Sequence, residues 1–77
     1  MITGSQVRAA KALIRWSGDD LAKKAGIAIS TIRRIEAEDG VLLSANIKTI
    51  EAVQKALEQA GVEFIGTPDQ QPGVRLK

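Results

Sequence analysis

The sequence contains neither cysteine nor histidine, and these two absences exclude several classes of protein. Without cysteine there is no disulfide framework and no thiolate metal site, and without histidine the usual zinc ligands are missing. Catalysis by a Cys-His or Ser-His pair is excluded for the same reason. A general base would have to be an Asp or Glu side chain, and no glycine-rich phosphate loop accompanies these residues. We therefore expect a protein that is not an enzyme and that holds no metal or cofactor.

Aromatic residues are also scarce, since Trp16 and Phe64 are the only two. Both fall at positions predicted to lie in the core, so the sequence predicts no surface on which RNA bases could stack. No stretch approaches the roughly 18 apolar residues of a membrane span. Residues 1–4 hold no charged segment leading into an apolar run. These features predict a cytoplasmic protein without a membrane partner.

The charges are unevenly distributed along the chain, although the net charge is only +2. Residues 1–35 contain seven basic and two acidic side chains, a net charge of +5. Residues 36–77 contain four basic and seven acidic side chains, a net charge of −3. This asymmetry favours a polyanionic partner for the first half of the chain. On charge alone, the alternative of merely solvated helix faces is equally good.

Hydrophobic spacing and capping residues predict a mainly α fold with four helices. A capping box formed by Thr3-Gly4-Ser5-Gln6 begins the first helix. Ser17 caps a short second helix, and Gly26 ends it. Apolar residues at intervals of three and four positions continue the pattern. The four helices are expected over residues 4–15, 18–25, 29–38 and 47–60.

The pattern changes to short strands after residue 61. Val62-Glu63-Phe64-Ile65 and Val74-Arg75-Leu76 predict two strands, and the segment 66–73 between them is rich in turn formers. A two-stranded hairpin is only marginally stable by itself. The strands must therefore lie on the helices of their own chain, covering the fourth one, or pair with a second subunit. We expect a DNA-binding domain over residues 1–61 and a strand tail over residues 62–77 that is a candidate part of a dimer interface.

The third helix carries the candidate binding residues. Two short helices joined by a tight glycine turn are typical of a helix-turn-helix, which places its second helix in the major groove of DNA. On a helical wheel, one side of the third helix carries Ala28, Thr31, Ile32 and Ile35. The opposite side carries Ile29, Ser30, Arg33, Arg34 and Ala37. This second side offers two guanidinium groups for guanine or phosphate, a hydroxyl, an apolar group for a thymine methyl, and no carboxylate.

Three of these residues also have an alternative structural role. Arg33 and Arg34 can belong to a solvated helix face that pairs with Glu38 or Asp39. Ile29 can pack beneath the loop after the fourth helix or fill the first turn of its own helix.

The run from Trp16 to Glu36 resembles the helix-turn-helix of phage lambda and Cro type repressors, the XRE-like family. The most specific parts of the likeness are Leu21-Ala22, Ala25-Gly26 and Ser30-Thr31-Ile32-Arg33-Arg34-Ile35-Glu36. The resemblance covers about residues 5–60 of the chain. It implies a four-helix lambda-repressor-like fold and sequence-specific binding of double-stranded DNA.

The resemblance also implies roles for individual residues. Ile29, Ser30 and Arg34 match positions that read base edges, and Arg33 lies on the same face near the DNA backbone.

The resemblance further implies a structural ion pair between the first and third helices. Glu36 matches a carboxylate that pairs with a basic residue of the first helix, here Lys11. If this pair is largely exposed, it contributes less than about 1 kcal/mol.

Two residues depart from the family pattern. Gly18 stands where many relatives have a glutamine, and Ala28 replaces a hydroxyl N-cap, which costs about 1 kcal/mol. Phosphate contacts are then expected from basic and hydroxyl residues nearby, each of which is equally well explained as solvated surface. They are Arg15, Ser17, Lys23 and Lys24.

Together these features predict a homodimeric transcriptional repressor. A chain of this size buries only about 60% of its unfolded surface, so a second subunit would add apolar burial. Each subunit would read one half-site, with the two recognition helices about 34 Å apart. The alternative is a protein-interaction module, such as an antitoxin or antirepressor, whose acidic second half binds a partner protein.

Overall fold

The computed structural model describes residues 2–39, 46–67 and 69–77. The described residues form four helices followed by a two-stranded antiparallel sheet, which confirms the predicted mainly α class and the order of elements. None of the described helices has the length and apolar character needed to cross a bilayer. The elements are α1 Gly4–Ile14, α2 Gly18–Ala25, α3 Ile29–Ala37, α4 Ile47–Gln59, β1 Val62–Thr67 and β2 Gln70–Leu76.

The first two helices begin at the capping boxes. At α1, Gln6 N donates to Thr3 Oγ1 at 3.1 Å while Thr3 N donates to Gln6 Oε1 at 2.8 Å. Ser17 and Asp20 exchange the same two bonds at the start of α2, at 2.9 and 3.1 Å. Each box satisfies two N–H groups that a helix start would otherwise leave without partners. As expected, Ala28 begins α3 without a side-chain cap.

Two helix ends and one helix face differ from the prediction. The first helix ends at Ile14, because Arg15 turns into the left-handed region with φ 58°. The third ends at Ala37, since the backbone of Glu38 is extended. Ala28 is exposed and does not face the core. It is the N-cap, where the backbone is not yet helical and the helical wheel does not apply.

One apolar core joins the four helices and the first strand. Trp16 and Phe64, both expected inside it, are only partly buried and pack against its edge. The buried apolar residues are Ile2, Val7, Ala10, Leu21, Ala22, Ile32, Ile35, Ile50, Val53, Ala56, Leu57 and Val62.

The two strands pair with each other within the chain, as in one of the two arrangements expected from the sequence. Val62 lies opposite Leu76 and Phe64 opposite Val74, so these apolar side chains share one face of the hairpin. β2 packs on α1, and β1 packs on both α4 and α1, so the hairpin covers more than the fourth helix. The strands are longer than predicted, because the ladder continues through an irregularity after Ile65 into the segment expected to be a turn.

A single buried side chain joins the hairpin to the first helix. Gln6 is 4% exposed, and its Nε2 donates to the carbonyl oxygens of Ile65 at 3.3 Å and Gly73 at 2.9 Å. Its Oε1 is the acceptor of the α1 capping box. The same amide group therefore fixes the start of α1 and the position of both strands.

Candidate nucleic-acid interface

The turn between α2 and α3 is short and depends on a glycine. Gly26 has φ 70° and ψ 35°, a conformation that a residue with a Cβ adopts only at a cost. Ile27 N donates back to Ala22 O at 3.0 Å, which closes the end of α2. Ala28 O then accepts the first bond of α3, from Thr31 N at 3.0 Å. Three residues thus separate the two helices.

Most residues on the two sides of α3 have the environments that the wheel predicts, and Ala28 and Ile29 are the exceptions. Ile32 and Ile35 are buried, which confirms their assignment to the core side. Four residues of the opposite side are exposed, namely Ser30, Arg33, Arg34 and Ala37.

Ile29 occupies an intermediate position on the helix. It is partly buried and packs against the core. A Cβ built on Gly18 would lie 3.3 Å from Ile29 Cδ1, so the start of α2 lies against the first turn of α3. Packing against the core and the start of α2 therefore occupies at least part of the Ile29 side chain.

The alternative partners suggested for Arg33 and Arg34 do not engage them. Within the described ranges, neither arginine forms an ion pair or hydrogen bond. Asp39, one of the suggested partners, binds Arg8 through its Oδ1 at 2.6 Å from Arg8 Nη2. Both guanidinium groups of α3 are therefore available to a ligand.

The ion pair between α1 and α3 is present and is more buried than expected. Lys11 Nζ lies 2.5 Å from Glu36 Oε1, and the two side chains are only 16% and 19% exposed. Glu36 Oε1 itself is buried and accepts no hydrogen bond from the described residues, so the nearby ammonium charge is what compensates it. A pair with this little solvent access is costly to break from one side, because the remaining charge stays desolvated.

A second set of contacts, which the sequence did not predict, holds the C-terminal end of α3 on α1. Arg8 Nη1 donates to Glu36 O, and Ser5 Oγ donates to Asp39 O at 2.9 Å. A cation at this end of a helix interacts favourably with the last carbonyl groups. The backbones also approach closely, because a Cβ on Gly4 would lie 1.6 Å from Glu38 O. In the sequence, the glycine within the first helix is the one signal of this approach.

These contacts reduce the set of basic residues available to an anion. Arg8 and Lys11 are engaged with α3, so they do not belong to a free basic surface. The exposed basic residues that remain in the first half of the chain are Arg15, Lys23, Lys24, Arg33 and Arg34.

The start of α2 combines a hydroxyl group with two carboxylates. Ser17 Oγ accepts a bond from Asp20 N, and its hydroxyl group also interacts with the Asp20 carboxylate. The backbone N–H of Ser17 and then its hydroxyl lower the pKa of Asp20 by bonding to the carboxylate. Asp20 is therefore ionised at neutral pH, and its carboxylate is bound to the N-cap residue Ser17.

Lys24 lies apart from the other predicted binding residues. It lines a shallow depression of about 200 Å³ together with Trp16 and three residues at the end of α4, Ala56, Gln59 and Ala60. No residue of α3 belongs to this group. Lys23, its neighbour on α2, is exposed.

The described residues therefore bring Ser30, Arg33 and Arg34 onto one exposed side of α3, with Ser17 at the start of the adjoining helix. In the part of the chain that the structure describes, no three acidic side chains are grouped closely enough to hold a metal ion. A scan against known protein families and a search of curated proteins both found no match to this chain.

Proposed function

We propose that this chain is a homodimeric transcriptional regulator, a repressor, that binds double-stranded DNA sequence-specifically in the cytoplasm. In this proposal the helices take the lambda-repressor-like arrangement and α3 enters the major groove. The observation that carries the proposal is the exposed side of α3, where Ser30, Arg33 and Arg34 stand with no carboxylate among them. The opposite side of the same helix is buried, so the helix can present only this side to a ligand.

The side chains suit distinct parts of a DNA groove. Arginine can bind guanine through two parallel hydrogen bonds, and serine can donate to or accept from any base edge. We assign base reading to Ser30 and Arg34, and we assign Arg33 to either a base or a phosphate group. Because Ile29 is partly packed inside the protein, we assign it a smaller contribution to binding, as an apolar contact for a thymine methyl.

The way α3 is held favours its use as a reading element. The groups bound by α1 are the carboxylates and the carbonyl oxygens of Glu36 and Asp39, all at or beyond the C-terminal end of α3. At the other end, Ile29 in the first turn packs against the core and the start of α2. Because α3 is held at both ends, it loses little further freedom when it binds, which favours affinity.

The size of one protomer and the exposed apolar residues of its hairpin support the dimer. The described chain measures 29 × 26 × 18 Å, so two copies side by side can place two recognition helices about 34 Å apart. A two-stranded sheet has two open edges that can pair with another strand. Ile65 and Leu76 on these strands are 38% and 53% exposed, and they lie on opposite faces of the hairpin. A second subunit paired at one of these edges would cover one of the two residues in the proposed dimer.

The test is selection of bound sites from a pool of random duplexes, followed by salt titration of the enriched sequence. A homodimer should enrich a two-fold symmetric motif whose half-sites are centred about 10 base pairs apart. Affinity for the enriched duplex should fall steeply with salt, because binding releases counterions from the phosphates. Failure to enrich any motif would refute sequence-specific binding. An asymmetric single half-site would contradict the dimer while leaving DNA binding intact.

A further inference from the structure

Arg15 has a backbone conformation that glycine normally occupies. Its φ is 58° and its ψ 37°, in the left-handed region where a Cβ crowds the following carbonyl oxygen. Two hydrogen bonds fix this conformation at the end of α1. Trp16 N donates to Lys11 O at 2.9 Å, and Arg15 N donates to Ala12 O at 3.3 Å. This pair of bonds defines a Schellman motif, whose left-handed residue is usually glycine.

The next helix of the same chain ends in the same way with a glycine. Gly26 follows α2 with φ 70°, and Ile27 N donates to Ala22 O, as Trp16 does to Lys11. The folding requirement at position 15 would therefore be met more favourably by glycine. The other described residues with positive φ are Gly61, Gly66 and Gln71.

The side chain of Arg15 does not stabilise the fold through a specific partner. It is exposed, and it makes no ion pair or hydrogen bond with any described residue. Two other exposed arginines do have ion-pair partners, since Arg8 binds Asp39 and Arg75 binds Glu63. A cation near the end of α1 is favourable, but solvent screens this effect in an exposed side chain.

Arg15 precedes the corner at which α2 meets α3. Gly18, three residues further on, packs against Ile29 at the start of α3. Three residues span at most about 10 Å, so Arg15 lies within that distance of the point where α2 meets the first turn of α3. Gly18 has no side chain for a phosphate group, and Arg15 can supply one from the same corner.

We propose that Arg15 binds a phosphate group of the DNA backbone, at the edge of the groove that receives α3. This inference rests on the proposed DNA-binding function and adds a contact to it. Strained backbone conformations cluster at functional positions, and of the two described non-glycine residues with positive φ, Arg15 is the one near α3, whereas Gln71 lies in the hairpin. The planar guanidinium group binds phosphate through two hydrogen bonds, which glycine at this position could not replace.

The decisive variant is Arg15→Gly, because it should move two measurements in opposite directions. Its melting temperature should rise by about 4 to 8 °C, since glycine removes the strain. Its affinity for DNA should fall about 8-fold at roughly 0.1 M salt for each phosphate that the variant no longer neutralises. The slope of log K against log salt should become shallower by about 0.9 for each subunit. The probes are the duplex enriched by selection and a random-sequence duplex pool of the same length. The affinity for both should fall by the same factor, because phosphates carry no base identity.

Two variants serve as controls. Arg15→Lys keeps the charge and should retain most of the salt slope. Lys55→Gln removes one positive charge from an exposed position of α4 and should leave the slope unchanged. An Arg15→Gly protein with the wild-type slope would overturn the phosphate contact, and one with a lowered melting temperature would overturn the backbone strain from which the contact is inferred. If the wild-type chain binds neither duplex, DNA binding itself is refuted, and this result is seen before any variant is compared.

Discussion

Replacing Gln6 by Met should weaken the attachment of the hairpin to the helices while keeping the volume of the side chain. The amide of Gln6 makes three hydrogen bonds, one from Thr3 N and two to the carbonyl oxygens of Ile65 and Gly73. Methionine is of similar length and cannot replace any of them, since its thioether is at most a weak acceptor. The variant therefore tests the bonds and not the packing.

The expected loss follows from the burial of these groups. Each hydrogen bond contributes about 1 kcal/mol net, and a buried donor left without an acceptor costs about 1 to 3 kcal/mol. Thr3 is buried, whereas the two carbonyl contacts are partly buried, so a total loss of about 2 to 4 kcal/mol is expected. A domain of this length has a free energy of unfolding of about 4 to 12 kcal/mol. One amide group thus accounts for a large part of the stability.

Urea unfolding followed by the fluorescence of Trp16, the single tryptophan, measures this loss. With a slope of about 1 kcal/mol per molar urea, the midpoint should fall by about 2 to 4 M. Gln70→Met, at an exposed position of β2, is the matched control and should shift the midpoint by less than about 0.5 M. A Gln6→Met midpoint close to that of the control would refute the conclusion that this amide holds the hairpin.

Three further predictions concern the ion pair between α1 and α3, the proposed reading of DNA by Arg34, and the cap of α2. Lys11→Met should lower the free energy of unfolding by about 2 to 4 kcal/mol, because it leaves the Glu36 carboxylate desolvated, and adding Glu36→Gln should recover part of the loss. A double-mutant cycle by urea unfolding measures both effects, and a loss under about 1 kcal/mol would contradict the buried pair. Arg34→Ala should weaken binding of the selected duplex by about 1 to 3 kcal/mol and relax the preference at one base pair in a repeated selection; an equal loss on all sequences would make Arg34 a phosphate contact. The pKa of Asp20 is lowered by its bonds to Ser17, so its contribution to stability is present above the unfolded pKa of about 3.9 and is lost as the pH falls through the lower folded value. Asp20→Asn should therefore be less stable than the wild type at pH 7 and approach it near about pH 2 in thermal melts, whereas a constant difference at both pH values would exclude this linkage.

The parts of the fold that can be predicted from the sequence depend on interactions between residues close in the chain. Thr3 and Ser17 are recognisable as caps because the residues that complete each box lie three positions further on. Gly26 is recognisable as a helix end because few other residues adopt its backbone conformation. The buried side of α3 follows from the spacing of Ile32 and Ile35.

The parts that could not be predicted depend on residues far apart in the chain. Arg8 is 31 positions from Asp39, and nothing in either segment identifies the other as its partner. The double use of Gln6, as a cap and as the anchor of the hairpin, requires knowing where the strands pack. The strands exceed their predicted length because a ladder that crosses an irregularity has no local hydrophobic alternation to mark it.

The candidate site shows the same division. The helical period alone places Ser30, Arg33 and Arg34 on one side of a helix, and all three are exposed. The pair of Lys11 with Glu36 is expected from the family resemblance, but its burial depends on the packing of α1 against α3. Arg15 falls where the sequence indicates a continuing helix, so its left-handed conformation could not be anticipated.

The attachment of α3 through its C-terminal end separates the residues that maintain the fold from those proposed to contact DNA. Positions 30, 33, 34 and 37 are exposed, and none belongs to the buried core. Surface substitutions of this kind usually change the free energy of unfolding by less than about 0.5 kcal/mol. The same scaffold can therefore accept many combinations of residues at these four positions, so its target preference can diversify, in nature or in a designed library, without a corresponding loss of the folded state.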